Sequence, residues 1–564
     1  MRCATAVVIS AVLAGCPQTP PPTEPTASAA PARPRLVVLL VIDQLPTWAF
    51  ERDRALFTGG FARLLRDGAY VRGGELPYAN TFTAPGHATI GTGTTPSEHG
   101  VIGNQWFRRD ANKELAAEDD PASPILAVGP PAVDEPLRDT ASSKALRVEG
   151  LAEALRRGSQ GKARSVAIAL KARAAVFVAG QHPDLAVFYE AAAGGMTTSS
   201  AYAAAPPAWL VDHARAHPVH ALVGQTWLPR DPALLARHTG LPDQAPGEGE
   251  IHGLGTAFPH TIRDANAIAN TPLGDDLVLD TALAALAPMH LGTDEVPDLL
   301  AISLNSHDYC GHNWGPDSWE SLDLTLRLDA ALGRLFDTLD RTYGKDGWAV
   351  VLTSDHGATP VVERSPHRGA RRIPSREIID AIDNAGVDAL PDSGSRVARV
   401  SSNQVYFTDR VLRLPPDRRS AALEAARTKL AHIAGIAGAH RTDVIAGSCA
   451  GKHGLDQLVC AAVVPGISGE LYLSPVRGSL LTNYTAGTHH DSPTDDNRFV
   501  PILVMAPGVK PQQIERASLL QVAPTVAALL GVAPPARATA APLFGLAPRS
   551  PAPPRSAAPS PPAP

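Results

Sequence analysis

Three apolar runs and several periodic segments organise the middle of the chain. The apolar runs, each typical of a buried strand, occupy residues 36–42, 299–304 and 348–353. The clearest helix is predicted for residues 318–340, where leucines recur at three- and four-residue spacing and Asp317 or Ser318 can cap the first turn. Because strand-like and helix-like segments alternate, the pattern predicts an α/β fold with a doubly wound sheet.

Shorter patterns extend this prediction along the chain. Further helices are predicted for residues 145–157, 421–433 and 523–531, and a late strand for residues 500–505. The folded domain is therefore expected to span residues 35–533. Between about residues 372 and 480 the periodicity weakens, which indicates an insertion or cap within that domain.

The two ends of the chain differ in composition from the middle. Residues 1–16 contain a short apolar stretch that closes in Leu-Ala-Gly-Cys, and this sequence resembles the lipobox of bacterial lipoproteins. In that case Cys16 carries a lipid anchor and becomes the mature N-terminus; the alternative is an ordinary secretory signal with a chance cysteine. Residues 17–34 then form a Pro-rich tether and residues 534–564 a disordered tail rich in Pro and Ala. The expected location is the bacterial cell envelope, as a periplasmic or outer-membrane lipoprotein.

Composition excludes some functions and leaves others open. The formal net charge of −6 argues against a nucleic-acid partner, and an apolar content of 44% is enough for a large core. Cys449 and Cys460 could form a disulfide in an oxidising envelope, although the sequence does not decide whether they pair. Cys310 is interpreted as a buried thiol rather than a metal ligand. The sequence leaves the oligomeric state open.

Carboxylates and imidazoles follow the three apolar runs, where an open α/β sheet builds its site. The side chains concerned are Asp43 after the first run, Asp308 and His312 after the second, and Asp355 and His356 after the third. A mixed Asp/His set without cysteine suits zinc better than manganese or iron.

A separate segment, residues 78–89, combines small residues and a turn signal ahead of a predicted helix. Thr83 lies at the expected helix start, where backbone N–H groups and the helix dipole favour an anion. Threonine is also common at such positions for structural reasons, so this segment alone does not establish a function.

Taken together, these motifs resemble the alkaline phosphatase superfamily, in the branch of the type I phosphodiesterases and nucleotide pyrophosphatases. The similarity is greatest to the phosphate-irrepressible alkaline phosphatases, whose nucleophile is threonine. It covers the chain from Arg35 to roughly Gly531. The matching motifs occupy residues 41–43, 83–87, 93–100, 104–107, 170–173, 308–316, 353–357 and 487–493. The resemblance implies an alkaline-phosphatase-like sheet flanked by helices.

The resemblance also implies a site with two zinc ions. One ion would be held by Asp43, Thr83, Asp355 and His356, and the other by Asp308, His312 and His490. Coordination to a dication lowers the pKa of the threonine hydroxyl, and a second ion about 4 Å away can stabilise the leaving oxygen. Water would then hydrolyse the phospho-threonine.

Three further residues resemble the family's phosphate contacts: Asn104, Lys171 and Arg173. Within this family the Lys-x-Arg pair is typical of enzymes that act on monoesters, because two cations can neutralise the additional charge of a monoester dianion. The predicted function is therefore an alkaline phosphatase acting on small phosphate monoesters. The alternative is a phosphodiesterase or nucleotide pyrophosphatase with the same metals and nucleophile.

Two departures from the family pattern affect the assignment of ligands. Asp491 stands where the family usually has glycine, and His489 precedes His490, so the metal-binding histidine could be either one. His490 is favoured because it keeps the spacing to the following Ser-Pro pair. His87 and His99 are interpreted as structural or supporting residues rather than ligands.

Overall fold

The computed structural model describes residues 33–384 and 394–546. The predicted signal peptide with Cys16, the tether up to residue 32 and the tail beyond residue 546 lie outside these ranges. Among the described residues, no helix combines the length and the apolar character that crossing a bilayer requires.

The elements follow the predicted alternation of strands and helices. In chain order the strands are β1 Leu36–Ile42, β2 Ala69–Glu75, β3 Gln105–Arg108, β4 Lys113–Ala116, β5 Ile125–Leu126, β6 Ser165–Ala169, β7 Leu185–Glu190, β8 Gly195–Ser199, β9 Thr226–Trp227, β10 His260–Thr261, β11 Asp298–Leu304, β12 Trp348–Thr353, β13 Arg372–Ile373, β14 Val397–Ser401, β15 Gln404–Phe407, β16 Ile436–Arg441, β17 Leu471–Pro475, β18 Leu480–Leu481, β19 Phe499–Met505 and β20 Gln512–Ser518. The α-helices are α1 Thr47–Asp53, α2 Gly60–Asp67, α3 Thr83–Thr92, α4 Pro96–His99, α5 Leu151–Gly158, α6 Ala172–Val178, α7 Ala208–Ala216, α8 Pro232–Thr239, α9 Pro272–Ala285, α10 Ser306–Trp314, α11 Trp319–Tyr343, α12 Ser375–Asp383, α13 Asp409–Leu412, α14 Pro416–Leu430, α15 Thr442–Ile445, α16 Gly454–Cys460, α17 Asp495–Arg498 and α18 Val522–Leu530.

A ten-stranded sheet forms the centre of the described part of the chain, in the order β20-β2-β19-β12-β1-β11-β6-β7-β8-β5. The five central strands from β12 to β7 are parallel, whereas β19, β8 and β5 pair antiparallel with their neighbours. The α/β prediction is confirmed, with antiparallel strands added toward both edges.

Both faces of this sheet are buried. All seven residues of β1 have no exposed surface, and alternate residues belong to two different cores. Val37, Leu39 and Val41 pack on one side with α3, α6 and α18, and Leu36, Val38, Leu40 and Ile42 pack on the other with α9 and α11. Continuous apolar strands without polar alternation are the expected result of burial on both faces.

Three of the predicted helices agree with the structure and one begins later than predicted. The helix predicted for residues 318–340 is confirmed as α11, whose N-cap Ser318 accepts a hydrogen bond from the Ser321 N–H group. The other two confirmed helices are α14 and α18. The prediction of a helix over residues 145–157 was wrong for residues 145–150, because α5 begins only at Leu151. The Glu153 carboxylate accepts a hydrogen bond from the extended Gly150 backbone at 2.7 Å and thereby caps that start.

Residues 372–480, the segment predicted as an insertion, contain a separate four-stranded sheet in the order β14-β15-β17-β16. Helices α12 and α14 cover it, and Ile378, Leu423 and Leu471 are among its buried core residues. The two ends of the segment meet, because β13 pairs with β18. A disulfide joins Cys449 to Cys460, with a Cα–Cα distance of 5.7 Å.

The first part of the predicted tail packs against the domain. Leu543 is buried, and its N–H group donates to the hydroxyl of Thr525 on α18 at 2.9 Å. The folded part therefore continues past residue 533, because an apolar side chain in this segment completes the packing around α18.

Candidate active site

The predicted site residues lie together at the carboxyl ends of three adjacent parallel strands. Strand β1 lies between β11 and β12, with Ile42 opposite Leu304 and Val41 opposite Thr353. The three strands thus end at the same level. The turns that follow carry Asp43, then α10 with Asp308 and His312, and then Asp355 and His356.

The first cluster consists of Asp43, Asp355 and His356, all fully buried. The Nε2 atom of His356 lies 3.3 Å from Asp43 Oδ1 and 3.3 Å from Asp355 Oδ2. Within the described residues none of these three atoms has a hydrogen bond of good geometry, and a further polar contact joins Asp355 Oδ2 to His87 Nδ1 at 3.2 Å. Because buried polar atoms are normally paired, three converging donor atoms without such a bond fit a cation between them.

The second cluster consists of Asp308, His312 and His490. The Oδ1 atom of Asp308 lies 3.2 Å from His312 Nε2 and 3.6 Å from His490 Nε2, and the two imidazole nitrogens are 3.3 Å apart. These atoms also fit the donor set of a metal ion.

The histidines of both clusters share one orientation. His312 Nδ1 is 2.7 Å from the carbonyl oxygen of Thr488, His356 Nδ1 is 3.0 Å from that of Gly357, and His490 Nδ1 binds that of Thr81. Because a carbonyl can only accept, each Nδ1 carries the proton. Each Nε2 is left with a lone pair directed into the site, which is the arrangement of metal-ligating histidines.

The electrostatics of the first cluster also favour a bound cation. Burial and the neighbouring carboxylates of Asp308 and Asp355 raise the pKa of Asp43 to about 6. Like charges this close disfavour one another's ionised forms, and a dication between them relieves the repulsion.

Lys171 lies between the two clusters. Its Nζ atom is 2.8 Å from Asp43 Oδ2 and 3.4 Å from Thr83 Oγ1, and it also contacts Asp308 Oδ2. Burial by itself lowers the pKa of Lys171, but the carboxylates of Asp308 and Asp43 outweigh it and raise the pKa above its usual value. The ammonium group is therefore charged and adjacent to the threonine hydroxyl.

Thr83 is the first residue of α3 and is 1% exposed. The next residue, Ala84, donates its backbone N–H group to Asn104 Oδ1 at 2.8 Å. This bond occupies the amide oxygen of Asn104 and leaves its NH₂ group to donate to an anion beside the helix start.

Residues 37–434 match the family model described as Type I phosphodiesterase / nucleotide pyrophosphatase. The chain belongs to this phosphodiesterase and nucleotide pyrophosphatase family. The resemblance inferred from the motifs is thereby confirmed.

Two relatives are similar over nearly the whole chain. Alkaline phosphatase PafA of Elizabethkingia meningoseptica is 29% identical over 529 residues, which cover 91% of this chain and 94% of the relative. Alkaline phosphatase PhoV of Synechococcus elongatus is 30% identical over 525 residues, which cover 89% of this chain and 91% of the relative. The crystal structure of wild-type PafA superposes with a TM-score of 0.80 at 28% identity and covers 92% of this chain and 100% of PafA.

The structure places Arg173, the second cation of the Lys-x-Arg sequence, beside a carboxylate that was not predicted as part of the site. Arg173 Nη1 lies 3.7 Å from Glu118 Oε1, which also lies 3.1 Å from Arg138 Nη1. Glu118 is only 1% exposed. Burial lowers the pKa of Arg173, but Glu118, together with Tyr309, Asp43 and Asp308, outweighs burial and raises the pKa above its usual value. Because Glu118 belongs to an acidic run typical of a solvated loop, nothing in the sequence marked it.

Two further polar residues that were missed support the clusters of this family member. Gln44 donates its Nε2 to Asp308 Oδ1 at 2.7 Å and its backbone N–H to Asp355 Oδ1 at 3.2 Å, so it links the two clusters. Asn305 donates to Asp43 Oδ2 at 2.8 Å. A signal was available, since both are polar residues at the ends of predicted buried strands.

The structure separates His490 from His489 and shows what the Asp491 side chain contacts. His490 lies in the second cluster, whereas the His489 ring packs beside it, 4.9 Å from the His312 ring. Asp491 Oδ2 accepts a hydrogen bond from the Leu481 N–H group at 2.8 Å, so this side chain holds the turn after His490. Burial raises the pKa of Asp491 to about 7.

The remaining candidates are supporting side chains. His87 Nε2 is 2.7 Å from the Ser303 hydroxyl, and its Nδ1 is 2.9 Å from the Thr83 carbonyl oxygen. Burial lowers the pKa of His99 to about 3, and its ring nitrogens contact Thr89 and the Val101 N–H group. Cys310 is a buried free thiol 3.5 Å from the Ser321 hydroxyl.

Proposed function

We propose that the chain is a metal-dependent alkaline phosphatase that hydrolyses phosphate monoesters through a phospho-threonine at a two-zinc site. The observation that carries this proposal is the position of Thr83 and Lys171 beside the two Asp/His clusters. The names of the similar proteins PafA and PhoV, both alkaline phosphatases, support the same activity.

The donor sets fit zinc in both clusters. Asp43, Asp355 and His356, with Thr83, would hold one ion, and Asp308, His312 and His490 would hold the other. Bound zinc would supply Lewis acidity, which lowers the pKa of a coordinated hydroxyl and stabilises charge on a leaving oxygen.

The chemistry of the chain's own residues begins with Thr83. Its Oγ1 attacks phosphorus, the P–O bond to the alcohol breaks, and the proton of the threonine hydroxyl ends on the departing alcohol. Water then attacks the same phosphorus, the bond to Oγ1 breaks, and inorganic phosphate leaves with the threonine hydroxyl restored. Each half of the cycle is one displacement at phosphorus.

The proposed preference for monoesters depends on Lys171 and Arg173. A monoester dianion carries more charge on its non-bridging oxygens than a diester, so donors with full charge stabilise it more. The Lys171 Nζ atom, 3.4 Å from Thr83 Oγ1, is placed to donate to a phosphoryl oxygen bound there. The NH₂ group of Asn104 and the N-terminus of α3 are further donors on this side.

The phosphodiesterase alternative keeps the same metals and nucleophile. The matching family model is named for phosphodiesterases and pyrophosphatases, but the relatives that match over nearly the whole chain are named alkaline phosphatases and support the alternative less well. The two proposals differ in which ester is hydrolysed faster, so they are separable in one assay.

The deciding experiment compares kcat/KM for an aryl monoester and the corresponding diester before chelation, after chelation and after addition of zinc. We expect the monoester to be preferred, activity to disappear on chelation and zinc to restore it. A faster diester reaction would replace the proposal by its alternative. Full activity in protein shown by metal analysis to be free of ions would exclude the metal-dependent mechanism.

A lipid anchor on Cys16 and a place in the bacterial cell envelope are a separate part of the proposal, supported by the lipobox-like sequence alone. We expect the Cys16→Ser variant to appear as soluble protein or to remain unprocessed. Unchanged partitioning into detergent would exclude the anchor.

A further inference from the structure

Tyr484 is an exposed aromatic side chain next to the second cluster. Its ring is 69% exposed and stacks on the ring of His489, with centroids 5.6 Å apart and planes 19° from parallel. The His489 ring is in turn 4.9 Å from that of the proposed ligand His312. One face of Tyr484 is therefore covered by His489, and much of the rest of the ring is open to solvent.

The loop that carries Tyr484 is held in place from two sides. Arg372 donates to the carbonyl oxygens of Gly487 at 2.7 Å and Ala486 at 3.3 Å, and it forms an ion pair with Glu363. On the other side, the Gly487 N–H group donates to the carbonyl oxygen of Gly247 at 2.7 Å. An exposed ring on an anchored loop loses little conformational freedom when a ligand stacks on it.

The position of Tyr484 determines which part of a substrate this side chain can contact. Thr83 is grouped with the ligands of the first cluster, and an in-line displacement places the departing alcohol opposite the attacking oxygen, toward the second cluster. The His489 ring lies beside His312 of this second cluster and Tyr484 stacks on His489, so of the two ends of an ester the leaving group is the one on the side of Tyr484.

We propose that Tyr484, supported by His489, forms a subsite for the planar aromatic leaving groups of phosphate monoesters. This inference rests on the proposed function and adds the substrate class. An aromatic leaving group can stack on the open tyrosine face, whereas a short alkyl group has no π surface and gains less.

The test uses the zinc-loaded enzyme and measures kcat/KM for phenyl phosphate and ethyl phosphate in the wild type and in Tyr484→Ala. We expect Tyr484→Ala to lower the value for phenyl phosphate by roughly three- to tenfold, the size of one aromatic stack, mainly through KM. The value for ethyl phosphate should stay within about twofold. Tyr484→Phe keeps the ring and should retain the phenyl preference.

Leu228→Ala serves as the matched control, because it removes another exposed apolar side chain, 60% exposed, near α11. This variant should leave kcat/KM unchanged for both phenyl phosphate and ethyl phosphate. Equal losses on both substrates in Tyr484→Ala, no loss on either, or a Tyr484→Phe variant that behaves like Tyr484→Ala would overturn the subsite.

A second measurement separates failure of the subsite from failure of the proposed function. Calorimetry compares the binding of benzylphosphonate and ethylphosphonate, which cannot be hydrolysed, to zinc-loaded wild type and Tyr484→Ala. We expect only benzylphosphonate to bind more weakly to the variant. If the wild type hydrolyses no monoester, the proposed function fails, while this binding comparison still decides whether Tyr484 recognises aromatic groups.

Discussion

The first and second clusters of the candidate site are built on different kinds of support. Asp43, Asp355 and His356 follow the central strands β1 and β12 directly and are fully buried. The second cluster lies on α10 and on the loop before α17, and the His312 side chain is 25% exposed. Beyond it lie His489 and the exposed Tyr484.

This difference in support suggests a division of roles between the activation of Thr83 and the choice of substrate. Residues at the ends of buried parallel strands are positioned by the core packing on both sheet faces, so the first cluster has little freedom to change. A helix and an anchored loop next to solvent can differ without disturbing the sheet. We therefore expect substrate choice to be decided around the second cluster and the activation of Thr83 around the first.

Removing the nucleophile should have the largest effect. Thr83→Ala deletes the oxygen that attacks phosphorus and should lower kcat by roughly 10⁴- to 10⁶-fold, as loss of a nucleophile does elsewhere. Rapid quenching with a labelled monoester should detect phospho-threonine in the wild type and none in the variant. Thr92→Ala, at the other end of α3, is the control. A covalent phosphoprotein in Thr83→Ala would move the nucleophile to another residue.

Removing one ligand from each cluster tests whether the clusters hold separate ions. His356→Ala and His312→Ala should each weaken one of two zinc sites by more than about 100-fold, since even the outer partners of a ligand typically contribute 10- to 100-fold. Metal analysis after dialysis should fall from two ions per chain to one in either variant. His99→Ala should retain both ions because His99 contacts neither cluster. Loss of both ions in each variant would mean that the clusters act as one unit.

Lys171 and Arg173 should favour monoesters over diesters. Lys171→Ala and Arg173→Ala should each lower kcat/KM for an aryl monoester by about 10² to 10³, with a smaller loss for the matched diester. The reason is the larger charge on the non-bridging oxygens of a monoester. An equal loss on both esters would contradict the assigned role of the two cations.

A smaller effect is expected from Glu118, which contacts Arg173 and neither cluster. Glu118→Gln keeps the shape but removes the charge beside Arg173, and the displaced guanidinium should cost about tenfold on the monoester. The monoester-to-diester ratio should fall as well, which a general loss of stability would not cause. Glu190→Gln is the control. Glu190 lies 3.6 Å from Arg138, which also contacts Glu118, but it forms no ion pair with Arg173 in the described part of the chain. An unchanged ratio in Glu118→Gln would show that Arg173 is positioned without it.

Much of the fold and of the first cluster could be predicted from the sequence because the signals are local. A strand buried on both faces is a continuous apolar run, as in β1, and the residue after it, Asp43, lies at the end of the sheet. The same reasoning applies to β12 with Asp355 and His356. Helix α11 was predictable because its apolar spacing and its N-cap residue Ser318 both lie within one continuous segment of the sequence.

Only the tertiary structure decided the contacts between distant parts of the chain. His490 and not His489 enters the second cluster, and its Nδ1 binds the carbonyl oxygen of Thr81, 409 residues away. Glu118 contacts Arg173, and Tyr484 stacks on His489 beside the second cluster, although neither residue follows a strand that the sequence predicted or lies in one of the motifs. Such contacts depend on how whole layers of helices and strands pack, and the packing free energy has contributions from many residues far apart in the chain. No short segment of the sequence contains all of these contributions, whereas hydrophobic periodicity and helix capping are determined within a few residues.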